Sequence, residues 1–594
     1  MDNQRNFLLA AALSLGVVFL WQIFFINPRL EREREAASLS APATPGAATS
    51  GENAGIPQAG ETASNNSAAV PGSTAKQETE APRVALKSEH LEGTINLRGA
   101  RIDDLRLTQY REEIAEDSPK IQLLKPVQNE NAYFAEFGWS PDANLGDLPG
   151  PSTVWKQTEG GELTPSSPVV LQFVNDKGLT FSRKIEVDQD YMFSITDTVA
   201  NATGAAISLK PYGRIARYGT PETEGIFVLH EGLIGAVGDQ GLDEVDYGDI
   251  EDETGGRLAK DPADKGWLGI TDKYWATALI PGNGFSASYN YLGQNRKFYQ
   301  TDYVGNAVSV PAGGESSITN RLFAGAKKVD IIDSYAADLE IPLFDKMIDW
   351  GWFYWITKPL FSVMNWVFGL VGNFGVAILV VTVMLKILFF PLANKSYKSM
   401  ANMKRMQPEM MAIKERFGDD RQGQQKAMME LYKKEKINPV AGCWPMLLQI
   451  PVFFALYKVI YVTIEMRQAP FFGWIQDLSA PDPTSLFNLF GLLPYDVPSI
   501  LLVGVWPLLM GITMFVQMQM NPTPPDPTQQ LIFKWMPVVF TFMLASFPAG
   551  LVIYWAWNNF LSVLQQGTIM KRQGAKIELW DNLKGMFGGK KDAA

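Results

Sequence analysis

The pattern of hydrophobic and polar positions divides the chain into three regimes. Residues 7–26 (FLLAAALSLGVVFLWQIFFI) run for twenty positions without a charge, which at about 1.5 Å per residue matches the roughly 30 Å hydrocarbon core of a bilayer. The run passes through Phe24 and Phe25 into Asn27-Pro28 with no small-x-small cleavage site. It therefore predicts an uncleaved signal anchor behind a short cytoplasmic N-terminus, residues 1–6. Residues 27–82 are rich in Ala, Ser, Thr, Gly, Pro and Glu and nearly free of aromatics, a composition that predicts a disordered tether. Over residues 83–340, short alternating runs recur between turn residues. Val169–Val174 leads through Asn175-Asp176-Lys177-Gly178 to Leu179-Thr180-Phe181, and Ile185-Glu186-Val187 through Asp188-Gln189-Asp190 to residues 191–195. Many strands at this spacing predict a large all-β sandwich domain.

The third regime predicts membrane helices. Apolar spans lie at 360–393, 443–466, 499–520, 531–547 and 549–570. Ahead of them, residues 343–358 place Trp350, Trp352, Phe353, Tyr354 and Trp355 around Asp345, Asp349 and Lys358, the composition of an amphipathic helix at the interface or of an aromatic belt. Charge sets the orientation. Residues 394–436 carry eleven Lys+Arg against six Asp+Glu and the tail 571–594 six against three, whereas the loop 467–498 has only Arg467 with Asp477, Asp482 and Asp496. By the positive-inside rule the first two segments, and with them the loop 521–530, are cytoplasmic and the third is periplasmic. Six spans with both termini cytoplasmic and the β-domain outside follow.

Overall charge hides this division. The net charge of −11 is −18 from residues 1–343 (29 Lys+Arg, 47 Asp+Glu) plus +7 from residues 344–594 (23 and 16). The acidic total argues against a DNA-binding protein. Cys443 is the single cysteine and His90 and His230 are the only histidines, so neither a disulfide framework nor a Cys/His zinc site is expected. The sequence has no phosphate-binding glycine loop, and no nucleotide or other cofactor is expected. His90, His230 and the acidic run 243–253 read either as a carbohydrate or metal site or, preferably, as a solvated surface with two incidental histidines.

Lys386 is the sharpest anomaly, because it sits inside the span 360–393, where a charge costs about 2.5–3.5 kcal/mol at a helix centre. Snorkelling to the headgroups is one reading. Other spans also carry polar groups: Thr382 lies at i−4, Gln449 in the next span, Thr513 and Gln517 in the third, and Asn558, Ser562 and Gln566 at spacing four in the last. Each alone fits interhelical hydrogen bonding; together with a lysine they predict a shared hydrated groove. The segment 394–436 reads as a helical hairpin kinked at Pro408, with Met403, Met406, Met410 and Met428 among its apolar positions. Such methionines suit varied apolar partners, or a self-packed coiled coil.

Six motifs carry a resemblance: Gly372-Asn373-Phe374-Gly375, Gln407-Pro408-Glu409, residues 438–445 (NPVAGCWP), Gln449-Ile450-Pro451-Val452-Phe453, residues 467–471 (RQAPF) and residues 547–551 (FPAGL). In this order and spacing the chain resembles the YidC/Oxa/Alb family of membrane protein insertases over about residues 343–570, and its β-domain and amino terminus resemble the Gram-negative bacterial form. The resemblance implies an α-helical polytopic inner-membrane protein, a five-helix insertase core plus the anchor, with a galactose-mutarotase-like supersandwich in the periplasm. It implies no catalytic residue, and a groove with one positive residue, usually Arg, at the position of Lys386. Lysine keeps the charge without the planar fork. Resemblance also points to Gln449 and Phe453 along the substrate path, and to nascent membrane proteins, the Sec translocon, membrane lipids and the ribosome (through hairpin and basic tail) as partners. Two other classes remain open. One is a secondary transporter using Lys386, which should show an internal repeat; the other is a sugar-binding module on a passive anchor.

Overall fold

The computed structural model describes residues 81–572, apart from residues 141, 143, 224–228, 294–295, 419, 436–443, 494, 496, 499–501 and 522–526. The signal anchor, nearly all of the tether and the tail beyond residue 572 lie outside the described residues.

Alternation of buried and less buried positions, as in Leu179–Val187 and Met192–Asn201, builds two nine-stranded sheets. In the first, Arg83–Lys87, Leu91–Asn96, Arg101–Arg111, Tyr133–Trp139, Pro211–Tyr218, Phe298–Gly305, Phe285–Leu292 and Arg257–Ala259 are neighbours in that order, and Lys120–Leu124 pairs off Arg101–Arg111. In the second the order is Asp243–Asp246, Gly232–Val237, Gly266–Thr271, Trp275–Ile280, Glu315–Ala326, Met192–Asn201, Leu179–Val187, Val169–Val174 and Lys156–Glu159. All strand pairs are antiparallel except one isolated parallel bridge, Leu86 to Leu163.

The turns do the work their residues suggest. Gly178 takes φ +86°, and the Asn175 side chain accepts from the amides of Lys177 and Leu179 at 3.1 and 2.9 Å, so Val174 pairs with Thr180. Asp188 accepts from the amides of Asp190 and Met192 at 2.9 and 3.0 Å and from the Tyr335 hydroxyl at 2.6 Å. A fully buried ion pair reaches across the apolar core between the sheets. Arg183 donates to both Asp197 oxygens at 2.7 and 2.8 Å and to the Phe137 carbonyl of the other sheet at 3.0 Å, with its guanidinium 4.9 Å from the Trp155 ring.

Helices follow: α1 (Val329–Asp338), α2 (Tyr354–Val371), α3 (Phe374–Leu388), α4 (Phe390–Arg405), α5 (Gln407–Phe417), α6 (Arg421–Lys434), α7 (Trp444–Val462), α8 (Val505–Met520), α9 (Pro527–Leu544) and α10 (Ala549–Arg572). Boundaries differ from the apolar pattern where capping chemistry intervenes. Instead of an interfacial helix 343–358 and a span 360–393, α2 crosses residue 359 and ends at Gly372 with φ +68°, and Asn373 caps α3 by accepting from the Val376 amide at 3.0 Å. Pro408 lies in the first turn of a new helix, α5, rather than kinking a continuous one, because a proline without an N–H is tolerated there. α3 and α4 bend by 68° at Phe389 and together have the length and apolar composition of a span; among the described residues no single helix is long and apolar enough to cross a membrane.

β-domain and helices share one apolar core running from Val84 to Tyr554. At their junction Arg467 donates to the Arg111 carbonyl at 2.6 Å, Glu465 accepts from the Val329 amide at 3.0 Å, and the Lys273 ammonium lies 3.7 Å from the Tyr461 ring centre. Lys458 pairs with Asp349 at 2.8 Å. Buried Lys327 donates to the Thr271 hydroxyl at 2.9 Å, and burial holds its ammonium down to about 8, against the attraction of Asp272, Asp349 and Glu231.

Two outcomes are expected. Asp197→Ala leaves the Arg183 guanidinium buried without its carboxylate and should cost about 3–5 kcal/mol of stability, read from denaturant unfolding of the chain in detergent. For Lys327 the folded state releases its proton near pH 8 while the unfolded chain holds it to about 10.5. Folding stability attributable to this group is therefore lowest below pH 8 and rises through that window, by up to about 3 kcal/mol. Unfolding of Lys327→Met, compared with the parent below pH 8 and near pH 10, should lack this rise.

Candidate functional site: a polar cleft among the helices

The cleft is built on α10. Its sequence places small and apolar residues on most faces and a polar stripe, Tyr554, Asn558, Ser562 and Gln566, at spacing four, which on a helix falls along one side. All four are buried. The helix starts where the Ala549 and Gly550 amides donate to the Ala480 and Leu478 carbonyls at 2.7 and 2.9 Å, so the loop before α8 satisfies two of the amides that open α10. A β-carbon on Gly550 would lie 3.1 Å from the Leu478 carbonyl oxygen. Other helices dock on this rod: α8 packs extensively on it, and α3, α4 and α7 pack along it.

α3 is placed by the segment Gly372 to Gly375. Phe374 stacks on Phe368 of α2, ring centres 3.8 Å apart and planes within 3°. Asn373 donates to the Phe471 carbonyl at 3.1 Å, and a β-carbon on Gly375 would lie 2.1 Å from the Phe471 ring. The glycine therefore lets the 467–471 segment lie against the start of α3. Further along, Trp557 of α10 donates to the Leu379 carbonyl at 3.2 Å, and one turn later α3 presents Thr382 and Lys386 towards α10.

Lys386 Nζ lies 2.7 Å from Ser562 Oγ; Ser562 in turn donates to the Asn558 carbonyl at 2.8 Å. The ammonium has no salt-bridge carboxylate among the described residues. Gln449 of α7 hydrogen-bonds the Tyr554 hydroxyl, and Thr382 donates to the Ile378 carbonyl at 2.6 Å. Around these groups lies a cleft of about 550 Å³, counted to its open mouth, with Thr382, Lys386, Gln449, Tyr397, Asn558 and Gln565 as its polar lining and Leu385, Phe389, Leu392, Ala393 and Val452 as its apolar lining. Tyr397 also hydrogen-bonds Ser562. The arrangement gives one ammonium a hydroxyl partner in a cleft lined by further hydroxyl and amide groups and leaves room beside it. Among the described residues it holds no nucleophile paired with a base. Among the described residues no group of three His, Cys, Asp or Glu is placed to hold a metal ion.

Of the residues singled out from sequence, Thr382, Lys386, Gln449 and Asn558 line the cleft and Ser562 bonds the lysine. Phe453 lies outside the lining, stacked on Trp555 with ring centres 4.6 Å apart. Thr513 and Gln517 sit on α8, where Thr513 donates to the Met510 carbonyl at 2.8 Å, and neither lines the cleft. Sequence reasoning missed Tyr554, Tyr397 and Gln565. Tyr554 could have been found, since it extends the Asn558–Ser562 spacing by one turn. On the hairpin side, Met406 is buried and Met403, Met410 and Met428 are half-buried, whereas Met411 and Met429 are the exposed methionines there. Neither histidine is near the cleft. His230 holds Asp246 at 2.9 Å and the Leu233 carbonyl at 3.0 Å, and Asp243 and Glu251 of the acidic run pair with Lys260 and Lys297.

Comparison with known proteins bears on the whole chain. Residues 83–363 match the family model described as YidC periplasmic domain, and residues 366–576 the one described as 60Kd inner membrane protein. The membrane protein insertase YidC of Rhizobium meliloti (strain 1021) is 54% identical over 604 residues, covering 99% of each chain. That of Brucella suis biovar 1 (strain 1330) is 54% identical over 612 residues, covering 99% of this chain and 98% of its own. Among solved structures, a crystal structure of an active YidC insertase with its first transmembrane domain resolved is matched at 15% identity and a TM-score of 0.34, over 81% of this chain and 91% of that one. With a β-rich periplasmic domain ahead of a helical region, and relatives more than half identical along its full length, the chain belongs to the YidC family of membrane protein insertases.

Proposed function

We propose that this chain inserts proteins into the inner membrane, alone or beside the Sec translocon, by giving a hydrophilic stretch of the nascent chain a place to dwell partway across the bilayer. The observation that carries the reading is the Lys386–Ser562 contact at 2.7 Å inside a cleft whose polar wall is Thr382, Gln449, Tyr554 and Asn558. An ammonium bonded to a hydroxyl, in a cleft lined by further hydroxyls and amides and with no paired carboxylate among the described residues, attracts a carboxylate. A short acidic segment entering the cleft exchanges part of its hydration for these groups, and the apolar segment behind it then partitions into lipid. No covalent step is involved.

In this reading the chain crosses the membrane six times, with both termini in the cytoplasm and the β-domain in the periplasm. α4 supplies Leu392, Ala393 and Tyr397 to the cleft and continues towards the basic hairpin, which supports an opening on the cytoplasmic side. The hairpin and basic tail then face the ribosome. A short helix supports a thinned bilayer. α8 (Val505–Met520) has 16 residues between its caps at Gly504 and Asn521, so at ~1.5 Å per residue it falls short of the ~30 Å of an unperturbed core.

Lys386→Glu should abolish insertion of a single-span substrate with an acidic translocated tail, and Lys386→Arg should preserve it. The assay is protease protection of that tail in proteoliposomes. Undiminished insertion by the Glu variant would rule out the electrostatic role of the cleft.

A further inference from the structure

Between Asp482 and Asp496 the chain carries no charge, yet this stretch leaves its large side chains outside the core. Leu486, Phe487, Leu489, Phe490, Leu492 and Leu493 are exposed, Leu492 to 81%. An exposed apolar cluster of this density marks an interaction surface.

Its main chain folds back on itself. The amides of Leu489, Phe490, Leu492 and Leu493 donate to the carbonyls of Leu486, Ser485, Leu489 and Asn488 at 3.1, 2.7, 3.3 and 3.1 Å, and the Tyr495 hydroxyl bonds the Phe487 carbonyl. Leu489 and Phe490 take φ +52° and +59°, conformations unfavourable for bulky residues. The backbone polar groups are thus paired locally while the apolar side chains project. That is the condition for placing irregular backbone in an apolar medium.

The loop is also rigidly rooted. Leu486 donates to the Val503 carbonyl at 2.9 Å. Asp482 accepts from the Trp506 amide at 2.9 Å and from the Trp474 indole at 3.1 Å, and Thr484 accepts from the Val505 amide at 3.0 Å. Two of the first amides of α8 are held this way, with the carboxylate at the positive end of the helix. A β-carbon on Gly504 would lie 2.4 Å from that carboxyl group, so the root admits glycine there. Beyond the root, Leu502 ahead of α8 and Leu509 and Ile512 on it are exposed as well.

We propose that residues 485–493 are a wedge that inserts into the outer leaflet of the inner membrane and seats the periplasmic end of α8 in lipid. Lipid is favoured over a protein partner because the helix the loop is rooted on, which the function proposed above places in the membrane, also exposes apolar Leu509 and Ile512, and because the projecting side chains offer no charged group for specific pairing. The inference rests on the membrane placement of α8 in the function proposed above.

The test uses the full chain, with Cys443→Ser, reconstituted in vesicles of phosphatidylethanolamine and phosphatidylglycerol containing nitroxide-labelled phosphatidylcholine. Single cysteines from Leu492→Cys in the loop, Ile512→Cys on α8 and Val174→Cys on the β-domain carry an environment-sensitive NBD fluorophore. The loop probe should emit blue-shifted light and lose intensity to nitroxides near the headgroups, as the α8 probe does to deeper ones, while the β-domain probe responds to neither. A loop probe that behaves like the β-domain probe while the α8 probe is quenched overturns the wedge and leaves the membrane placement intact. A blue-shifted loop probe that lipid nitroxides do not reach means a protein cover, from this chain or a second copy, and also overturns it. If neither the loop nor the α8 probe is quenched, the placement of α8 itself fails.

Discussion

An ammonium carried on an apolar helix must be solvated, and the helical region is arranged around that requirement. Lys386 finds Ser562, and Ser562 can serve because α10 is polar along one buried side. A helix with that side inward cannot face lipid, so it becomes the rod on which α3, α4, α7 and α8 assemble. The same stripe brings Tyr554 to Gln449 and Gln566 to Asn521, at 3.1 Å. Each contact ties α10 to a different neighbour. The polar groups are therefore both the means of assembly and the lining of the cleft.

Much of this was legible before any coordinates. Lys386 stood out by its cost, and Asn558, Ser562 and Gln566 by their spacing, because both signals are local in sequence. The hairpins over 169–201 were legible for the same reason: Asn175 and Asp188 bond amides two to four residues away. What the pattern blurred were helix ends. The spans at 360–393 and 499–520 are apolar through residues that cap rather than propagate helices, Gly372 with its left-handed φ and Gly504 with its extended one, and apolarity is blind to either. Thr513 and Gln517 lie outside the cleft for another reason: Thr513 bonds the Met510 carbonyl of its own helix, so polarity in a span does not by itself place a side chain in a shared cleft.

The junction between the β-domain and the helices was not legible at all. Arg467 reaches the Arg111 carbonyl, and Glu465 the Val329 amide, across sequence separations of 356 and 136 residues. Nothing in either segment announces the other. Arg467 stands in a motif shared with the family, and in sequence it read only as a loop charge. In the structure its guanidinium also lies 5.9 and 5.7 Å from the ring centres of Tyr274 and Trp275, so the loop that precedes α8 is bound to the β-domain by a cation that burial would otherwise penalise.

That binding constrains how the two halves work together. Phe471 packs at Gly375 and the Leu478 and Ala480 carbonyls receive the first amides of α10, so the residues just past Arg467 touch both helices that build the cleft. Arg467 therefore joins the β-domain to a segment that in turn touches α3 and α10. A truncation within the β-domain therefore removes more than a periplasmic appendage when it deletes Arg111 or exposes Tyr461 under Lys273. One that spares those contacts leaves the cleft supported. These few contacts at the junction, and not the edge of the β-sheets, mark where the helical region rests on the β-domain.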